Sequence, residues 1–183
     1  MRQLKGISVI SIFIVALSAT GFSIAADNKK NYIPVSWNQL IPADYDSEAL
    51  ENELISRYDT GQLEDGSPEA DALIGELLEL QSKAPMTKEY DGLSIKIPGF
   101  VVPLDFEAER ITEFLLVPYY GACIHTPPPP PNQIIYVMLE EGIKMEDVYD
   151  PIYVNGLMLV ERQDSEMGTA GYTVYAYSIE PYY

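Results

Sequence analysis

The sequence predicts an α+β protein in which a small five-stranded OB-like β-barrel follows an N-terminal arm and two helices. Apolar residues recur at helical spacing between residues 50 and 78, and from Asp91 onward they alternate with polar residues as in strands. Five strand-like runs lie between residues 91 and 183, the first of them long and bent. A closed or partly open barrel accommodates short strands of this kind, and a sandwich-like fold is the alternative.

Residues 1–25 have the features of a signal peptide. Arg2 and Lys5 precede an apolar stretch at residues 7–17, and small residues around Ala25 suit a signal peptidase. Because the apolar stretch is shorter than the ~20 residues of a membrane span, we expect no stable membrane insertion of the mature chain. Cleavage is expected after Ala25, or after Ala26. The mature protein is thus predicted to be exported, into a bacterial periplasm, with an uncleaved anchor as the alternative.

The composition argues against a nucleic-acid-binding protein. The chain has 28 Asp and Glu residues against 11 Lys and Arg residues, a formal net charge of −17. Such a surface repels phosphate backbones. The sequence also has no C-x-x-C pair, no glycine-rich phosphate loop and no G-x-S-x-G motif.

The segment 26–90 is expected to hold the arm and the two helices. Trp37 and Leu40 lie between two prolines, which disfavour a long helix, and we interpret this stretch as an extended arm packed onto the domain. In the first helix Ser47 is the expected N-cap and Gly61 the expected end. The apolar residues expected on its buried face are Leu50, Leu54, Ile55 and Tyr58.

The second helix has clearer boundaries. Ser67 is a good N-cap, Pro68 occupies the tolerated first position, and Pro85 stops the helix. The expected apolar stripe consists of Leu73, Ile74, Leu77 and Leu78.

The segment 91–183 is expected to form the barrel and to carry a loop rich in proline. The predicted strands are 93–104, 111–117, 134–139, 152–160 and 172–179. In the first strand the alternation slips by one residue at Pro98-Gly99, which we interpret as a bulge. Asn155-Gly156 in the fourth strand indicates either a hairpin turn or a bulge where another backbone comes close.

The loop between the second and third strands holds the chain's only cysteine and only histidine, Cys123 and His125. Thiolate and imidazole bind transition metals, so we predict a metal site, for zinc before copper. Two ligands are too few for a tight zinc site, and further donors are needed. The candidates are Asp105, Glu107 and Glu113, with Met138 and Met158 if the metal is copper.

Two other interpretations of this pair stay open. Cys123 can be a small buried side chain, with His125 bonded to nearby backbone. Alternatively, Cys123 can be a nucleophile and His125 its base. Because neither an orienting acid nor an oxyanion hole can be identified, we place the enzymatic interpretation below metal binding and expect no catalytic residues.

Five consecutive prolines follow, and they form a stiff, extended segment. They are Pro127, Pro128, Pro129, Pro130 and Pro131. The run can bind a partner's aromatic groove or act as an internal strut. The amides of Asn132 and Gln133 can satisfy carbonyls that the prolines leave unpaired. The expected pocket-lining residues are Tyr119, Tyr120, Asn132 and Gln133.

Residues 98–104 (PGFVVPL), residues 113–125 (EFLLVPYYGACIH), the proline run and Asn132-Gln133 resemble an uncharacterised bacterial family. It is catalogued as a domain of unknown function in small exported proteins and lipoproteins. Residues 37–42 (WNQLIP) are similar to its usual start. The resemblance implies that Cys123 and His125 match the family's Cys-His core. Family members lie in gene neighbourhoods with permeases and metal-responsive genes.

These observations favour an exported accessory protein that binds a transition metal through the Cys-x-His loop and is linked to an envelope transporter. The alternative is a non-catalytic periplasmic interaction module that docks through its proline-rich loop.

Overall fold

Five strands close into a barrel in the computed structural model, which describes residues 31–105, 109–122 and 128–182. The elements are β1 (Ile33–Pro34), α1 (Ser47–Ile55), α2 (Pro68–Ser82), β2 (Leu93–Pro103), β3 (Arg110–Val117), β4 (Ile135–Lys144), β5 (Ile152–Leu159), β6 (Gln163–Ser165), β7 (Gly168–Ala170) and β8 (Tyr172–Pro181). Short 3₁₀ turns lie at Trp37–Leu40, Pro131–Gln133 and Met145–Asp147.

The barrel strands pair in the order β2-β3-β4-β8-β5, and β5 returns to β2 to close the ring. β4 and β8 run parallel, whereas the other neighbours in the ring are antiparallel. Counted along the chain, the third barrel strand pairs with the fifth and the fourth pairs with the first, as in an OB-type barrel. The predicted α+β fold with an OB-like barrel is confirmed.

β2 is long because it serves two partners in succession. Residues 93–99 pair with β5, and residues 100–103 pair with β3. Glycine is required at the switch, since a Cβ on Gly99 would lie 2.7 Å from Leu116 Cγ and 2.9 Å from the Val117 carbonyl oxygen.

The slip in the β2 alternation reflects two apolar clusters rather than a bulge. Ile95, Ile97 and Val101 face the barrel interior, whereas Val102 belongs to a second cluster outside the barrel and Phe100 packs against it. We call this second group the outer cluster. Its buried members are Val102, Leu115, Val117, Ala122, Ile134 and Ala170. The predicted bulge is therefore wrong, because pairing continues in register through Pro98-Gly99.

At the second special position in the barrel, Asn155-Gly156, there is no hairpin turn, and β5 lies opposite a bulge in β8 whose extra residue is Tyr177. The register of β5 against β8 shifts between these two residues. A Cβ on Gly156 would lie 2.5 Å from the Tyr175 carbonyl oxygen, so close backbone approach demands glycine here.

The two helices pack against each other, and their contacts with the strands are sparse. The Ser67 hydroxyl accepts a hydrogen bond from the amide of Ala70 and caps α2 as predicted. In α1 the cap is the Asp46 carboxylate and not Ser47, and the helix ends at Ile55 rather than near Gly61. Within the described part of the chain, no helix is both long and apolar enough to cross a bilayer.

The N-terminal arm is part of the barrel structure. β1 pairs in parallel with residues 95 and 96 of β2, along the part of that strand that β3 does not cover. The Trp37 indole donates a hydrogen bond to the Pro98 carbonyl at 2.7 Å, and Leu40 is fully buried in the barrel core. The arm therefore packs Trp37 and Leu40 onto the domain as predicted, through a 3₁₀ turn rather than in extended form.

Candidate functional site

The connection between β3 and β4 carries the sequence-predicted site. Cys123, His125 and Pro127 lie outside the described residues, and so does Glu107. The structure does describe the chain on both sides of the Cys-x-His segment. We call these two flanks the base of the loop.

The upstream flank is held by the outer cluster. Ala122, the residue before Cys123, is fully buried there, beside side chains of β2, β3 and β4. Tyr119 and Tyr120 precede it with 51% and 69% of their surface exposed. The Tyr120 ring meets Phe100 edge-on, with the ring centroids 6.0 Å apart. These two tyrosines therefore form a surface rim beside the loop.

The downstream flank is the described part of the proline run, residues 128–131, which is partly buried. Pro129 and Pro131 are buried, Pro130 is half-buried and Pro128 is exposed. The Pro131 carbonyl accepts a hydrogen bond from the amide of Gly171 at 2.8 Å. A Cβ on Gly171 would lie 2.6 Å from that same oxygen, so the two backbones are in close contact. Among the described prolines of this run, residues 128–131, only Pro128 and Pro130 offer surface to a partner.

Asn132 and Gln133 tie this flank to the rest of the domain. Asn132 is 1% exposed, and its side-chain amide donates to the Pro85 carbonyl at 3.0 Å. The amide of Gln133 donates to the Trp37 carbonyl at 3.1 Å. Both side chains thus satisfy backbone carbonyls, but these acceptors belong to Pro85 and Trp37 and not to the proline run.

Tyr172, which the sequence did not single out, links three segments at the same end of the barrel. Its hydroxyl donates to the Leu40 carbonyl at 2.7 Å and accepts from the amide of Thr87 at 2.8 Å. Burial raises the pKa of Tyr172 to about 12. The signal available in the sequence was its position at the start of a strand, in step with the inward-facing Val174.

The predicted additional ligands are scattered. Met158 is fully buried in the barrel core, and Met138 lies on the outer barrel surface. The Glu113 carboxylate accepts a hydrogen bond from the Tyr136 hydroxyl at 2.5 Å. Desolvation and this carboxylate raise the pKa of Tyr136 to about 12. Among residues 31–105, 109–122 and 128–182, no three Asp, Glu, His or Cys side chains are grouped to hold a metal ion.

Sequence reasoning also missed the β6–β7 hairpin, which lies against both flanks. Met167, at its turn, packs on the outer cluster that contains Ala122. Gly168 adjoins Pro128, since a Cβ there would lie 3.1 Å from the Pro128 Cβ. The hairpin is polar and short, and no apolar alternation marks it in the sequence.

Comparisons with known proteins agree with this architecture. A family model described as a protein of unknown function (DUF3299) matches residues 37–181. A DUF3299 family protein from Pseudomonas aeruginosa PAO1, with a crystal structure at 2.45 Å resolution, is 38% identical, with a TM-score of 0.61. The match covers 84% of this chain and 97% of that one. No functionally curated protein matches the chain. The family model matches most of the chain, and a solved member of the family is 38% identical to it. This chain therefore belongs to the DUF3299 family.

Proposed function

We propose that this protein is an exported accessory protein that binds a transition metal, zinc before copper, through Cys123 and His125. The observation that supports the proposal is that the chain is buried on both sides of the Cys-x-His segment. Residues 123–127 connect two flanks that are both buried, at Ala122 and at Pro129 and Pro131. A short connection between fixed ends loses less conformational freedom when it binds an ion, so less of the binding free energy is spent on ordering.

The remaining ligands must come from elsewhere, because zinc prefers four. Water or a carboxylate of the acidic surface can complete a zinc site. Met167 packs against the outer cluster, to which Ala122 belongs, and its thioether is the candidate third ligand if the ion is copper(I), which prefers sulfur donors.

The test is a metal analysis of the mature protein, purified without a histidine tag because His125 is the only natural histidine. Reduced protein is loaded with Zn²⁺ or Cu⁺, freed of excess metal and analysed by mass spectrometry. We expect near-stoichiometric metal in the wild type, and loss of it in Cys123→Ser and His125→Ala.

Two methionine variants provide the matched comparison. Met167→Leu is expected to weaken copper binding and leave zinc binding unchanged, whereas Met138→Leu, on another part of the surface, is expected to change neither. Substoichiometric metal that Cys123→Ser does not alter would overturn the proposal.

A non-catalytic interaction module is the second candidate, favoured by the exposed Tyr119, Tyr120 and Pro128 beside the loop. Its partner would be an envelope transporter or another periplasmic protein. Cross-linking in envelope extracts tests it. We expect a specific cross-linked partner that Tyr119→Ala and Tyr120→Ala abolish and Tyr149→Ala, at a distant exposed tyrosine, retains.

Export itself is part of the proposal and rests on residues 1–25. Expression of the full chain in a Gram-negative host, followed by fractionation and N-terminal sequencing, is the test. We expect a periplasmic protein that begins at Ala26 or Asp27. A full-length chain retained in the cytoplasm would contradict export.

A further inference from the structure

We propose a second ligand site, distinct from the Cys-x-His loop, on the outer surface of β3, β4 and β8, and we assign it to organic cations of the polyamine class. The site is a shallow groove of about 400 Å³. Its principal lining residues are Thr112, Glu113, Met138, Glu140, Tyr175 and Tyr177. We refer to it as the tyrosine groove.

The strand register determines how these side chains are arranged. Glu113 pairs with Met138, and Met138 pairs with Tyr175, so these three form one row across the sheet. Glu140 lies two residues beyond Met138 on β4 and hence on the same face. Tyr177 is the extra residue of the bulge in β8, and its side chain lines the same groove as that of Tyr175. Met138 lies between Tyr175 and Glu113 in the row across the sheet.

The groove exposes three large side chains that are at least partly apolar. Tyr175, Tyr177 and Met138 are 40%, 47% and 37% exposed, respectively. The neighbouring part of the same outer surface is covered, since the outer cluster lies over β2, β3 and the start of β4. None of the residues of the outer cluster lines the tyrosine groove, which belongs to a surface that OB-type barrels commonly use for binding.

The negative charge of the groove indicates that its ligand is a cation. The described residues lining the groove include the carboxylates of Glu113 and Glu140 and include neither Lys nor Arg. The whole chain carries a formal charge of −17. Anionic ligands such as nucleic acids are therefore repelled, whereas a cation is attracted by the carboxylates and by the electron-rich faces of the tyrosine rings.

An aliphatic polyamine satisfies each part of this arrangement. Its ammonium groups can bind the carboxylates and lie over the rings, and its methylene chain can cover Met138. An inorganic cation would gain no binding free energy from contact with the apolar side chain of Met138.

The test uses spermidine as the probe. Spermidine is titrated into the mature protein at moderate salt, and backbone amide shifts are followed by NMR. We expect saturable shifts confined to residues 112–113, 138–140 and 175–177. Tyr175→Leu and Tyr177→Leu each should weaken binding about fivefold, the contribution of an exposed cation–π contact.

These substitutions leave the net charge unchanged, so they separate a built site from general attraction to an acidic protein. Tyr149→Leu, at another exposed tyrosine, is the control and should bind as the wild type does. Glu140→Gln, at an exposed position, should weaken binding even if a tyrosine variant fails to fold.

Three outcomes would overturn the proposal: spermidine binding that neither tyrosine variant alters, absence of saturable binding, or stronger binding of a neutral oligosaccharide such as maltotriose. Cys123→Ser should bind spermidine as tightly as the wild type. Failure of the metal-binding proposal therefore leaves this one standing, and the reverse also holds.

Discussion

At Gly156 one hydrogen atom in place of a methyl group allows β5 to approach β8. A Cβ there would lie 2.5 Å from the Tyr175 carbonyl oxygen and 2.8 Å from the Ala176 Cα, and backbone cannot move aside as a flexible side chain can. We expect Gly156→Ala to lower the free energy of unfolding by about 3 kcal/mol, at the upper end of overpacking costs. Urea denaturation measures this change.

The control for that substitution lies in α2. A Cβ on Gly75 would have no atom within 4 Å, so Gly75→Ala should stabilise the protein by about 0.5–1 kcal/mol through helix propensity. Equal effects of the two substitutions would contradict the steric argument at Gly156.

Ionisation of Tyr136 makes the stability of the folded protein depend on pH in the alkaline range. Its pKa rises from 10.0 to about 12 because of desolvation and the Glu113 carboxylate. Since the folded pKa lies above the unfolded one, the stabilisation is complete below pH 10 and is lost as pH rises toward 12. Tyrosinate absorbance should show a late-ionising group, and Glu113→Gln should lower its pKa.

Tyr172 also ionises late, and Tyr172→Phe distinguishes the two groups because it leaves the Tyr136 step in place. Titration of every tyrosine in a single step near the ordinary pKa of 10.0 would show that neither hydroxyl is held as described.

Among the elements, α1 offers a direct choice between two caps. The sequence favoured Ser47, but the structure has the Asp46 carboxylate accepting from the amide of Ala49 at 2.9 Å. Asp46→Ala should therefore destabilise the helix by about 1 kcal/mol, whereas Ser47→Ala should be neutral or slightly stabilising. Because the helices contact the strands sparsely, we expect faster amide hydrogen exchange in α1 and little change in barrel strands.

The result that would contradict this assignment is the reverse order, with the larger effect at Ser47. A loss of exchange protection throughout β2 and β5 would instead show that the helices and the barrel unfold together.

For the whole molecule, the arm is a structural part of the barrel. Leu40 is fully buried in the core, and its carbonyl accepts the Tyr172 hydroxyl. We expect Leu40→Ala to lower the free energy of unfolding by about 2–5 kcal/mol. Leu50→Ala is the matched control, because Leu50 is 38% exposed on α1, and its cost should stay below about 1 kcal/mol. Similar midpoints in urea for the two variants would show that the arm is dispensable.

The barrel could be predicted from the sequence because alternation identified its strands. The prediction ended β4 at Leu139, where Glu140 and Glu141 interrupt the apolar pattern, but pairing continues through Ile111–Ile143 to Arg110–Lys144. Exposed strand residues can be charged without loss of pairing, so composition alone places such an end too early.

The candidate site was predicted less completely, since its supports are distant in sequence. Asn132 and Gln133 were expected to bind carbonyls, yet nothing in the sequence named Pro85 and Trp37 as the acceptors. The role of Tyr172 depends on a residue 132 positions away. Metal binding by Cys123 and His125 stays a prediction, because it concerns a segment outside the described residues.

The position of β8 between β4 and β5 governs when this ring can form. β8 is the last of the five barrel strands along the chain, so the ring stays open until β8 has been synthesised. Before β8 pairs with them, β4 and β5 are the two edges of an open sheet, and their unpaired backbone groups can bind another chain. A chain that lacks β8 should therefore aggregate rather than remain a partly folded monomer.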